Sequence, residues 1–443
     1  MDFRDKVQWT PELARRSERL TIWSTCCTSM GDVPFTDAAV IILYANMLGA
    51  SEAFSLITTS MLSLAIGLFS IPSVLWIARD SSYQWTILKA TAMALAMFGV
   101  VTAAPFFGAW AVPVLLAALM LFAVNHAIYI AAWFPMLDSF LVKERRNAYL
   151  GRMRFSWQLA SALLLGAISC FVGKNPPIGK LQMVMLFSML VFSCKFFFIA
   201  KVPQFEAQEK SRFGFHDGLV RALGNKPMAG FSVYLFILNV ASYGTIPVTT
   251  LYLKKSLHAP DNVIVLLSSV VLCGMLAGSF FAGLTIRRLG MKATFLTAHF
   301  GYGIVNFLLF FAGRNLFPGT ELYWIIGVLL FVYSWIFACF NIISSSEMMT
   351  LATPGNKVMA MAFCNSFYYG GLGLSRLLTS LIIGSGALAP VWLLGHWEIT
   401  RYQTLFLLYA LCVVLTSALL LLVPAVFPDK KTDGPAETPV KTA

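Results

Sequence analysis

Long apolar stretches separated by short polar gaps repeat along this chain from about residue 20 to residue 427. A helix satisfies its own backbone hydrogen bonds, so a run of roughly 20 apolar residues is what one bilayer crossing requires. Twelve predicted spans result: 20–48, 53–78, 85–107, 110–135, 149–172, 181–200, 230–252, 262–286, 293–313, 322–346, 357–384 and 402–427. Phe35 to Leu48 alone is too short to cross, so the first span begins near Leu20 and carries Asp32 inside the membrane.

The gaps alternate in charge. One set holds Arg4 to Arg19, Arg79 and Lys89, Lys143 to Arg154, Lys195 to Lys226, Arg287 to Lys292, Lys357, and Lys430 to Lys441. The other set holds Lys174, Lys180, Lys254, Lys255, Arg314 and Arg401. Basic loops stay in the cytoplasm, so this asymmetry predicts cytoplasmic termini and an even number of crossings in the plasma (inner) membrane. Arg376 belongs to neither set.

Composition fits a chain whose solvent is lipid: 58% hydrophobic, 12% charged, mean hydropathy +0.76. The net charge of +12 sits in the loops that face anionic headgroups, so it argues for a bilayer surface and against a nucleic-acid partner. The polar first 19 residues lack a short apolar core with a cleavage site, so no cleaved signal peptide is expected. The eight cysteines fall in apolar stretches without C-x-x-C or a histidine-rich cluster, and read as packing residues rather than metal ligands.

The chain matches itself at an offset of 209 residues. Asp138-x8-Asn147 recurs as Glu347-x8-Asn356, while Phe231 falls on Ile22, Asn262 on Ala53 and Arg288 on Arg79. The predicted organisation is therefore a cytoplasmic segment 1–19, a six-helix bundle 20–200, a cytoplasmic linker 201–229, a second six-helix bundle 230–427 and a disordered tail 428–443.

Two tandem six-span halves with basic inner loops resemble the major facilitator superfamily of secondary transporters over about residues 20 to 427. The family's loop motif G-x-L-A-D-R-x-G-R-K has a second copy here at Gly283 to Lys292, matching at Gly283, Gly290, Arg288 and Lys292, with Arg287 in the aspartate's place. In the first copy the aspartate position falls on Ala78, followed by Arg79 and Asp80. The resemblance implies an all-α membrane protein of 12 transmembrane helices in two pseudo-symmetric bundles. It also implies inner gating loops, here Asp138, Arg145, Arg146, Arg287 and Glu347 with the motif residues. Asp138 and Glu347 could supply the missing acid or simply cap helix ends.

Ionisable groups inside hydrocarbon are costly and mark a pathway or a buried partner. Asp32 and Asp37 lie in Gly31-Asp32-Val33-Pro34-Phe35-Thr36-Asp37, where glycine, cap residue and proline suggest a broken helix with Asp32 capping its second segment. Arg376 could bind an anionic substrate group, but a buried ion pair with an acid such as Asp32 is favoured, because an unpaired guanidinium is expensive. His126 could carry protons or act as a helix contact. By the resemblance, spans one, four, seven and ten line a central cavity, which adds Asn125, Asn239, Tyr243, Ser334, Trp335 and Asn341 as wall candidates.

No phosphate-binding G-x-x-x-x-G-K-[ST] loop and no HExxH occurs. The sequence therefore predicts a monomeric secondary transporter, without cofactor or catalytic residues, that moves a small organic solute by alternating access. H⁺ or Na⁺ coupling through Asp32 is expected, and a sugar-like solute is preferred. Drug efflux or uniport on the same fold, and a polytopic enzyme acting on lipid-linked substrates, are the alternatives.

Overall fold

The computed structural model describes residues 6–79, 82–205, 214–289, 291–353 and 355–422; the tail predicted at 428–443 lies outside them. The N-terminal half comprises α1 (Pro11–Thr36), α2 (Ala38–Met47), α3 (Glu52–Arg79), α4 (Tyr83–Thr102), α5 (Ala111–Asp138), α6 (Lys143–Val172) and α7 (Ile178–Ala200). A short α8 (Phe215–Gly224) lies in the linker. The C-terminal half comprises α9 (Lys226–Ser242), α10 (Thr245–Leu251), α11 (Asp261–Leu289), α12 (Met291–Phe311), α13 (Glu321–Leu351), α14 (Lys357–Gly384) and α15 (Arg401–Leu422). Among the described residues ten helices are long and apolar enough to cross a bilayer, or eleven when α1 and α2, bent by 46°, count as one span. The less apolar α14 is about 42 Å long and packs along α3.

The 209-residue offset survives in three dimensions. Adding it to α3 gives 261–288, against the observed Asp261–Leu289, and adding it to α4 gives 292–311, against Met291–Phe311. Even the breaks correspond, since each half opens on a span in two pieces, α1–α2 and α9–α10. The register slips at α14, which starts at Lys357 where the offset from α6 gives 352, and further before α15, where the hairpin β3 (Val391–Leu394) and β4 (Trp397–Thr400) lengthens the loop.

One sequence expectation needs correction. The first helix begins at Pro11, ahead of the span expected from near Leu20, because Thr10 accepts a hydrogen bond from the Leu13 amide and a proline at the first turn loses no helical bond. Its break is capped by Asp37, not Asp32: one Asp37 carboxylate oxygen accepts from the Ala39 and Val40 amides at 3.0 and 3.2 Å. Asp32 and Pro34 both lie within α1.

A two-residue parallel pairing of β1 (Lys6–Val7) with β2 (Gln204–Phe205) ties the N-terminal segment to the start of the linker, so both sit on one face, called here the linker face. The halves meet along α3 with α14 and α6 with α11. Glycines allow the close approach: a Cβ on Gly67 would stand 2.5 Å from the Gly370 nitrogen, and one on Gly373 would stand 2.6 Å from Leu64.

At the far face the two halves are bonded together. The Asp261 and Asn262 amides donate to the Lys174 and Gly173 carbonyls, both at 3.1 Å, and the Ser169 hydroxyl donates to the Asn262 carbonyl at 2.7 Å. Glu52 at the start of α3 forms an ion pair with Arg401 and accepts from the Tyr402 hydroxyl at 2.6 Å. Deeper in, α2 packs against α10 and α11.

Candidate functional site

A cavity of about 480 Å³ lies between the halves, walled by α1, α3, α5 and α6 on one side and by α10, α11, α13 and α14 on the other. Its upper end is set by the break in the first span. Asp37 ends α1, turns the chain by 46°, and aims α2 across the far face. The corresponding break after Tyr243, one half later, brings α10 over the cavity from the other side. Asp32, Asp37, His126, Tyr243, Asn341 and Arg376, all expected from sequence to mark the pathway, line this one space.

The other wall candidates stand back from it. Asn125 donates to the Leu121 carbonyl of its own helix, and Asn239 donates to the Tyr368 carbonyl at 3.2 Å, joining α9 to α14. Ser334 is buried against Gly274 with its hydroxyl on Leu330 and Phe331 carbonyls, and Trp335 packs on Phe281 and Phe331. Asn239, Ser334 and Trp335 thus join neighbouring helices, while Asn125 bonds only within its own. The helical period explains the split, because Asn125 and His126 are neighbours in sequence but about 100° apart around α5.

Arg376 was expected to be ion-paired, and that expectation fails. Among the described residues no carboxylate lies within ion-pair distance of it, although Asp37 is within electrostatic reach. Instead one terminal nitrogen donates to the Thr59 carbonyl of α3, and the guanidinium lies 4.8 Å from the centre of the Tyr243 ring. Its Nε is buried without a hydrogen-bond partner. At 1.5 Å per residue it sits about 12 Å below the far end of α14.

Two cations assigned from sequence to a loop prove to be inside the bundle. Lys195 lies in α7 at 1% exposure, with its ammonium 3.2 Å from the centre of the Tyr129 ring and within electrostatic reach of Asp32. Arg154 lines the cavity from α6, about 17 Å inside that helix's linker end, with Tyr368 and Tyr369 of the opposite half beside it. Both lie within two or three turns of a basic helix end, so charge counting absorbed them into the loops. The signal available was burial: Lys195 is flanked by Phe192, Phe196, Phe197 and Phe198.

Of the gating candidates, Arg145 reaches Glu18 of α1 at 3.0 Å, joined by Arg152 at 3.5 Å, so it clamps helices within one half. Arg288 is exposed and Glu347 is half-buried. The side chains of Asp138, Arg146, Arg287 and Lys292, with Gly283 and Gly290, lie outside what the structure describes. Among the described residues no cluster of three or more metal-ligating side chains occurs.

The Major Facilitator Superfamily's family model matches residues 231–442. A sequence comparison with curated proteins finds no match. Among solved structures the chain is similar to the nucleoside transporter NupG, at 15% identity and TM-score 0.66, covering 94% of this chain and 100% of that one. It is similar to a D-xylose–proton symporter at 12% identity and TM-score 0.66, covering 92% and 96%. A bacterial homologue of the iron transporter ferroportin matches in its inward-facing state at 14% identity and TM-score 0.65, covering 92% and 98%. In an outward-facing state the TM-score is 0.59 at 12% identity, with the same coverage. The family's sequence pattern thus covers residues 231–442, the second half of the chain, and the fold throughout is similar to that of these transporters.

Proposed function

We propose that the protein is a secondary transporter that carries a small organic solute through the central cavity by alternating access, with the linker face in the cytoplasm. The observation that carries this reading is a cavity between two pseudo-symmetric halves, mainly apolar but holding buried carboxylates and guanidiniums, with the halves bonded together on one face. Among the described residues the hydrogen bonds between halves run from the far face down to Gln158–Ser279 and Gly67–Ser366, both near mid-membrane. An opening toward the linker face agrees with the higher similarity to an inward-facing than to an outward-facing neighbour. Rocking the halves about this midplane would expose the same residues to the other side.

Asp32 is the coupling candidate, since it is a cavity carboxylate whose charged neighbour Lys195 comes from the same half. Its neutralisation by H⁺ or Na⁺ would change the interior charge without breaking the contact between halves. Uphill uptake in proteoliposomes tests this, because Asp32→Asn should abolish accumulation driven by the ion gradient while sparing downhill exchange. Unchanged accumulation and ion dependence in the variant would remove Asp32 from coupling.

The alternating-access reading is tested by access. Ser63, on the α3 wall, changed to cysteine in a background without native cysteines, should react with a membrane-impermeant thiol reagent from the linker face in the resting protein. Reactivity from the far face only would contradict the reading.

A further inference from the structure

The charges lining the cavity are unequally compensated, and this distinguishes among solutes. Both carboxylates are provided for. Asp37 accepts two backbone amides at the N-terminus of α2, where the helix dipole favours an anion, and has the Ser268 hydroxyl beside it. Asp32 has the buried ammonium of Lys195 within electrostatic reach. Neither guanidinium has a carboxylate within ion-pair distance among the described residues, although Asp37 is within electrostatic reach of Arg376. Arg376 has a carbonyl and a phenol ring, with its Nε left over, and Arg154 has two phenols. An arginine presents five donors in a fork matched to carboxylate or phosphate oxygens, and leaving one buried and unsatisfied is costly.

From this asymmetry we infer that the transported solute is an organic anion, a carboxylate or phosphate ester, whose anionic group is taken by Arg376 at the closed end of the cavity. The inference rests on the transporter reading above. Arg154, on the opposite half and roughly two to three helical turns nearer the linker face, supplies a second positive charge along the path. Tyr243, Tyr368 and Tyr369 offer ring faces for the body of the solute. Neutral sugars would leave the Arg376 Nε without a charge-matched acceptor, which favours an anion over the sugar-like solute expected from sequence. The anionic group and Asp37 would face each other across Arg376, so binding is strongest when the guanidinium serves both.

The test is thermal stabilisation of the purified full-length protein by matched probes at millimolar concentration: benzoate and phenyl phosphate as organic anions, benzamide and xylose as neutral solutes, and inorganic phosphate as the bare anion. Benzoate or phenyl phosphate should raise the melting temperature and benzamide should not; stabilisation by inorganic phosphate alone would identify an anion site that is not a substrate site, and would overturn the proposal. Arg376→Gln should weaken the organic-anion response on the order of ten- to hundredfold, the loss expected for a charge-assisted hydrogen-bonded contact. Arg376→Lys, which keeps the charge without the fork, should recover part of it. Should Arg376→Gln fail to fold, Arg154→Gln takes its place, with a smaller weakening expected. Stabilisation of the folded protein by xylose or benzamide but by neither organic anion, or by none of the probes, overturns the anion assignment. Transport of a neutral solute would leave the transporter reading standing without it, whereas anion binding with no flux of any solute would do the reverse.

Discussion

Removing the Glu52 carboxylate should unlatch the far face. Glu52 bonds both Arg401 and Tyr402 of the other half, and the paired side chains are each 22% exposed. Hydrogen bonds to a buried charge are worth about 1.5–3 kcal/mol, and exposed ion pairs about 0–1 kcal/mol. A latch one-fifth exposed falls between them, at about 1–2 kcal/mol. Because the contact exists only when the far face is closed, that energy moves the balance between the two cavity orientations, by a factor of roughly 5 to 30. Glu52→Ala should therefore enrich the conformation closed at the linker face. Double electron–electron resonance between spin labels at Ser139, ending α5, and Val358, starting α14, reads this as growth of a shorter distance population. Glu52→Gln, which keeps an acceptor for Tyr402, should shift it less. A distance distribution identical to wild type in Glu52→Ala would refute the latch, as would a shift toward longer distances.

Three further outcomes follow from particular contacts. Asp37→Ala removes the cap of α2 and should lower thermal stability by about 1 kcal/mol, while Asp37→Ser retains most of it; equal melting of the two variants would deny the cap its role. Gly67→Val forces a side chain onto the Gly370 backbone and should cost about 1–3 kcal/mol or prevent the halves from docking, visible as a lower melting temperature, and an unchanged value would mean that the helices do not approach this closely. Glu18→Gln loses the carboxylate that holds Arg145 and Arg152 and should destabilise the N-terminal half by about 1 kcal/mol, an effect that shrinks at high salt because both arginines are partly exposed; a salt-independent loss would point to packing instead.

Spans were readable from sequence because crossing a bilayer demands long apolar runs, and the residues predicted for the eleventh, 357–384, are those of α14. The repeat was readable because the second and third spans of the two halves keep nearly the same offset. What sequence could not resolve was facing and depth. Gly31-Asp32-x-Pro34 looks like a helix break, yet the helix continues through it, and the turn falls at Asp37, where two alanines and a valine follow the cap. Lys195 and Arg154 were credited to loops because charge was counted by position along the chain rather than by which helix face it occupies. Ser334 and Trp335 occupy the right span for a cavity wall but sit on faces turned to a neighbouring helix, and Asn125 is taken up by a carbonyl of its own helix. Arg376 stood out correctly as an outlier, while its partners, a carbonyl on α3 and a ring beside α10, come from elements far away in sequence.

Counterflow in proteoliposomes tests the central claim most directly. Vesicles loaded with an unlabelled solute that stabilises the purified protein, then diluted into trace labelled solute, should transiently accumulate label without any ion gradient. A cavity open alternately to each face exchanges one solute for another in this way. Label that equilibrates no faster than in protein-free vesicles, for every solute that binds, would contradict it.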